Sequence, residues 1–145
     1  VHEEAIQTAR ELLRKRAWKV FEINNWLGTR TIQPAAKFSL YSAGRREGFY
    51  VASEVNADFS KSDDHRIDLV WFDTEEWDPA VGFEIDGGVS QHSVKKLQRM
   101  SEASDLAMGK VIVSKSPNPA FIDDAKDKKL PNDFHHIDVG YHRVR

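Results

Sequence analysis

Two stretches of the chain, Arg66 to Phe72 (RIDLVWF) and Ala80 to Asp86 (AVGFEID), are almost wholly apolar over the length of a strand, and only the acidic turn from Asp73 to Pro79 separates them. Short apolar runs rich in branched and aromatic residues and bounded by turn residues read as interior strands. From Glu3 to Ala17, Ile6, Ala9 and Leu13, flanked by Ala5 and Leu12, recur at three- and four-residue steps, which predicts an amphipathic helix. A second helix is predicted from about His92 to Met108, presenting Val94, Leu97, Met100, Ala103 and Ala107, with Gly109 as its stop.

Further strands are expected at Trp18–Ile23, Phe49–Val55, Lys110–Val113 and Phe134–Val139, and a short helix at Ala120–Lys128. In the Phe49 strand, alternation places Phe49, Val51 and Val55 on one side and Tyr50 and Glu54 on the other. From Trp26 to Glu47 the breakers Gly28, Pro34 and Gly44 interrupt any period, so that stretch reads as irregular or as an insertion. The result is an α/β chain in the order helix, strands, helix, strand, with a C-terminal helix and strand and no internal repeat. Its 145 residues fit one domain.

Composition narrows the chemistry. With 40% hydrophobic and 30% charged residues the chain is not a disordered one. No apolar run reaches membrane-spanning length and no basic start precedes an apolar stretch, so a soluble cytoplasmic protein without membrane contact is expected. The absence of cysteine excludes disulfides, thiolate metal sites and a cysteine nucleophile. A net charge of -2 does not announce a nucleic-acid binder, although a local basic face is compatible with it.

What remains is carboxylates. Glu84 and Asp86 lie two apart on a strand and so share a face, opposite Val81, Phe83 and Ile85. Asp68 interrupts the neighbouring apolar strand and can join them if the two pair. Buried acids in one place repel and are costly to desolvate, so they call for a cation. Mg²⁺ or Mn²⁺ suits oxygen ligands of this kind and supports phosphodiester hydrolysis.

These residues resemble the PD-(D/E)xK, restriction-endonuclease-like nuclease superfamily. Asp68 matches the motif Asp, Glu84 the second acid, and the order of elements agrees over Glu3 to Val113; "FEID…SVKKL…KVIV" is similar to the small nuclease-like domains of bacteria, archaea and phages. The resemblance implies a core of helix, three strands, helix and strand, a Mg²⁺- or Mn²⁺-dependent endonuclease acting on nucleic acid, DNA above all, and often a homodimer. Asp68, Glu84 and Asp86 would be the metal ligands. Asp86 stands where the family usually has Lys. A lysine from the following helix can take that role, and Lys96, or Lys95, is placed for it. An inactive descendant that binds nucleic acid or a protein partner is the alternative.

Each of these residues also has a plainer role. Asp68 can pair with Arg66 or cap a loop, and Glu84 and Asp86 can mark where the strand leaves the core. Glu4 and Glu11 point away from the first helix's apolar face, which leaves Glu3 as the first-helix acid nearest its edge, while Glu54 can reach Asp68 from the preceding strand. His92 reads as a helix-start residue. His135 and His136, adjacent on a strand, face opposite ways. Trp18, Trp26, Trp71 and Trp77 read as packing residues, and Lys126, Lys128 and Lys129, beside Asp123, Asp124 and Asp127, as a solvated face. The acids are surface residues if the chain is an unrelated α/β module.

Overall fold

The computed structural model describes residues 2–16, 22, 33–58, 65–115 and 121–140. Helix α1 (Glu3–Lys15) follows the predicted period, with Ala5, Ile6, Ala9 and Leu13 buried and Glu4 and Glu11 in solvent. The strand expected at Trp18–Ile23 lies outside the described residues except for Glu22.

The stretch expected to be irregular contains a second helix, α2 (Gln33–Arg46). Its two breakers are compatible with a helix for different reasons. Pro34 sits in the first turn, where the helix requires no amide from it. Gly44 lies where α2 meets the sheet: a Cβ there would stand 2.7 Å from both Trp71 Cδ1 and Val51 Cγ2. Trp71 is itself fixed, its indole nitrogen donating to the Leu40 carbonyl at 3.1 Å and its ring stacked on Phe49 at 5.3 Å. Gly44→Ala is therefore expected to lower stability by about 1–3 kcal/mol through overpacking, outweighing the roughly 1 kcal/mol by which Ala favours a helix. Urea denaturation of the variant measures this; an unchanged or raised midpoint would show that the ring can move aside.

The strands are β1 (Tyr50–Asn56), β2 (Arg66–Phe72), β3 (Pro79–Ile85), β4 (Gly109–Ser114), β5 (Phe121–Ile122), β6 (Ala125–Lys129) and β7 (Phe134–Asp138), with helix α3 (Gln91–Ser104) between β3 and β4. The main sheet runs β1-β2-β3-β4-β7. Its first two pairings are antiparallel and its last two parallel. Helices α1 and α2 cover one face, over Leu69, Trp71, Val81, Phe83, Val111 and Ile137. On the other, Val94, Leu97 and Met100 of α3 pack over Val70 and Ile112. β3 and β4 are buried along their whole length because both faces are covered. The architecture is mixed α/β, and among the described residues no helix is long and apolar enough to cross a membrane.

Two expectations about the C-terminal half are corrected. Helix α3 stops at Ser104, not Met108, because Asp105 adopts the left-handed conformation (φ 55°) that an aspartate tolerates and thereby closes the helix. The helix expected at Ala120–Lys128 is, over its described residues, the hairpin β5–β6. Asp123 and Asp124 make its turn, as their side chains favour, and both tie it to the start of α3. The Asp123 amide donates to the Val89 carbonyl at 2.6 Å, and Asp124 Oδ1 accepts from the Gln91 amide at 2.8 Å.

A third correction concerns β1. Val51 packs under α1 and α2, but Val55 packs under α3, so the two do not share a side. The change occurs at Glu54, whose φ of 55° breaks the alternation of an extended strand. β2 makes the same change beside it, with Leu69 on the α1–α2 side and Ile67 on the α3 side. The residue between them is Asp68.

Candidate active site

The β2–β3 ladder pairs Trp71 with Val81, Val70 with Gly82 and Leu69 with Phe83. One step further brings Asp68 opposite Glu84, and here side chains take over from the ladder. Glu84 Oε2 accepts a hydrogen bond from the Asp68 amide at 2.9 Å, and Asp68 Oδ2 accepts one from the Ile85 amide at 2.7 Å. Each carboxylate thus bridges to the other's strand. Both are buried, with Glu84 1% and Asp68 9% exposed.

The cation comes from α3. Because Val94 and Leu97 face the core, Lys96 lies on the flank of the helix and Lys95 points to solvent. Lys96 Nζ lies 2.5 Å from Glu84 Oε1 and donates to the Arg66 carbonyl at 3.0 Å. Of the two lysines weighed from the sequence, Lys96 is the one at the acids.

Burial raises the pKa of Glu84 to about 7, with the neighbouring Asp68 charge adding to the shift and Lys96 opposing it. Asp68 is also pushed up, chiefly by burial; the Ile85 amide works against this, and the Asp86 charge works with it. One ammonium therefore faces more negative charge than it can offset, which is an environment that favours a proton or a further cation.

Asp86 borders this pair. Its amide continues the ladder onto the Val113 carbonyl at 2.9 Å, and its Oδ2 accepts a short hydrogen bond from Ser93 Oγ. Ser93 is held in turn by the helix cap: its amide donates to Ser90 Oγ at 3.1 Å, and Ser90 Oγ donates to Ser93 Oγ at 3.0 Å. Ser93 was not among the sequence candidates, and the Ser90-to-Ser93 spacing at a helix start was the signal for it. Among the described residues no group of three or more His, Asp and Glu side chains is gathered closely enough to hold a metal ion. The pair brought together is Asp68 and Glu84, with Asp86 turned toward Ser93.

Glu54 of β1 lies beside Asp68 of β2, between the Ser53–Leu69 and Val55–Ile67 pairs. Its charge raises the Asp68 pKa, and its Oε1 accepts from Lys37 Nζ of α2 at 2.9 Å. The other candidates fall elsewhere. Glu3 is exposed on α1, which packs on the face of the sheet opposite α3. His92 is exposed on the first turn of α3, 6.3 Å from the His65 ring. On β7, His136 bonds Ser114 Oγ at 2.7 Å. No family model, curated protein or solved structure matches the chain.

Proposed function

We propose that the chain hydrolyses phosphodiester bonds in nucleic acid, with DNA as the expected substrate, through a restriction-endonuclease-like core that uses Mg²⁺ or Mn²⁺. The observation that carries this reading is the contact of Lys96 Nζ with Glu84 beside Asp68. It supports the reading because the ammonium comes from the helix after β3, the source that the resemblance offers when position 86 is Asp. The order α1, α2, β1, β2, β3, α3, β4, with β3 and β4 parallel, is compatible with that core when α2 is counted as an addition to it.

The donors fit a hard divalent ion in kind. All are carboxylate oxygens, two of the acids have raised pKa values, and negative charge exceeds the single lysine. When bound, the ion supplies a water of lowered pKa and offsets charge on the phosphate. Asp68 and Glu84 would hold it. Asp86 would orient the water or add a ligand once released from Ser93, and Lys96 would face the phosphate.

A second reading is a catalytically silent nuclease-like domain. It is favoured by the engagement of both Glu84 oxygens, one by Lys96 and the other by the Asp68 amide. Plasmid and single-strand cleavage with Mg²⁺ or Mn²⁺ separates the two. The purified protein is expected to cut, and Asp68→Ala and Glu84→Ala are each expected to reduce the rate at least about 100-fold, the loss typical of removing a group that stabilises transition-state charge. Cleavage that survives both substitutions would exclude this site, and no cleavage by the parent with either metal would favour the silent domain.

A further inference from the structure

At the end of the sheet away from Asp68 and Glu84, Tyr50 opens β1 and Trp77 sits in the turn from β2 to β3. Both rings stand in solvent, 50% and 60% exposed, and they meet edge to face with centroids 5.5 Å apart at 66°. Backbone contacts fix the turn. The Asp73 amide donates to the Asp78 carbonyl at 2.8 Å, the Trp77 amide donates to the Asp73 carbonyl at 2.7 Å, and Asp73 Oδ1 accepts from the Glu75 amide at 3.0 Å. From Asp73 to Asp78 (DTEEWD) the turn holds four acids and no base. Among the described residues, no ion pair engages Glu75, Glu76 or Asp78.

We infer that Tyr50 and Trp77, with the carboxylates of the Trp77 turn, form a docking surface for an arginine-bearing segment of a partner protein. Charge complementarity selects this occupant. The turn repels a polyanion. An uncharged apolar partner would cover the rings but would also strip water from carboxylates that have no cation beside them, a cost that a cationic partner removes. A cation is attracted twice, by the faces of the rings and by the acids around them. Arginine satisfies both at once, because its planar guanidinium stacks on a ring while its N–H groups donate to a carboxylate; the lysine ammonium is a more strongly hydrated point charge.

The chain's own arginine in this region does not fill that role. Arg45 lines the concavity of about 380 Å³ beside Tyr50, but Tyr41 holds it: its guanidinium lies over the Tyr41 ring at 5.9 Å and donates to the hydroxyl at 3.2 Å. The rings and acids of the Tyr50–Trp77 corner are thus left for a cation from outside. The surface is separate from the candidate active site, and the inference does not depend on the chain cutting nucleic acid.

The test is fluorescence anisotropy at low ionic strength with a labelled arginine–glycine peptide, beside the same peptide carrying citrulline, which keeps the shape of arginine and loses its charge. The arginine peptide should bind the parent and the citrulline peptide should not, and added salt should weaken the binding. Trp77→Ala is expected to weaken it about 5- to 30-fold, the range for loss of a cation seated on a ring, while Trp77→Tyr should keep most of the affinity. The double variant Glu75→Gln with Glu76→Gln should weaken binding although both rings remain; these residues are exposed, so this arm stays informative if thermal melts show that Trp77→Ala disturbs the fold. Equal binding by parent and both of these variants overturns the inference, as does a parent that binds no arginine peptide. Equal binding of the citrulline peptide overturns it too, since the rings would then hold the peptide by apolar contact alone. A lysine–glycine peptide that binds as tightly as the arginine one overturns the choice of arginine. A parent dimer that Trp77→Ala converts to monomer also overturns the inference and gives the surface to a second copy of the chain.

Discussion

Lys96→Ala should lower Mg²⁺- or Mn²⁺-dependent cleavage by on the order of 10²–10³-fold, the usual cost of one well-placed donor to developing charge. The expectation follows from the contact of its ammonium with Glu84 Oε1, beside Asp68. Lys95→Ala should leave the rate near the parent's, since Lys95 points to solvent on the same turn. Asp86→Lys would place an ammonium at the motif position, but it also removes the acceptor for Ser93 Oγ and takes away one of the acids available to a divalent ion. A gain from Asp86→Lys is therefore expected only in the Lys96→Ala background, where it should recover part of the lost rate. Single-turnover cleavage of the four variants is the measurement. Equal losses from Lys95→Ala and Lys96→Ala would show that the geometry around Glu84 does not control the chemistry.

In the metal-free protein, Glu84 should make stability fall as pH rises. Its carboxyl moves from an ordinary value of 4.5 to about 7 on folding, so between those pH values the folded chain keeps a proton that the unfolded chain has released. The stability from that proton is fully present below about pH 4.5 and is lost as pH passes 7, a change of roughly 3 kcal/mol at 1.36 kcal/mol per pH unit. Asp68 acts in the same direction. His135 and His136, whose pKa values are depressed chiefly by burial, act in the opposite one, contributing stability above their ordinary pKa that is lost as pH falls.

The readout is therefore the difference between the parent and Glu84→Gln, which removes the titrating group while keeping an acceptor for the Asp68 amide. Urea denaturation in the presence of a chelator should show the parent losing stability relative to Glu84→Gln from pH 5 to 8. Millimolar Mg²⁺ should return part of the parent's loss at pH 8 by binding the folded state. Parallel pH profiles for the two proteins would refute the shifted carboxyl.

The period-two and period-3.6 patterns located α1, α3 and most strands of the main sheet, because burial on one or both faces writes itself directly into residue order. Arg66 to Phe72 is β2 to the residue, and the apolar spacing of Val94 and Leu97 placed Lys96 on the flank of its helix. Local pattern failed at α2, where a glycine at position 44 looks like a breaker until the indole of Trp71 arrives from a strand distant in sequence to fill the space its missing side chain leaves. It failed again at residues 121–129, where two aspartates choose a turn because the start of α3 lies alongside to receive them.

For the site, the chain order by itself determined that Glu84 and Asp86 leave one strand on one side and that Asp68 belongs to a neighbouring one. Only the tertiary structure decided that Asp68 and Glu84 bond each other's strands where the ladder ends, that Asp86 turns to Ser93, and that the ammonium beside them belongs to Lys96. The reason is physical. Alternation along a strand is a property of neighbouring residues, whereas the reversal of faces at Glu54 and Asp68 depends on two strands breaking side by side. The resulting shift in the Glu84 pKa comes from burial beneath a helix and from a second carboxylate sixteen residues away, neither of which any local stretch of sequence contains.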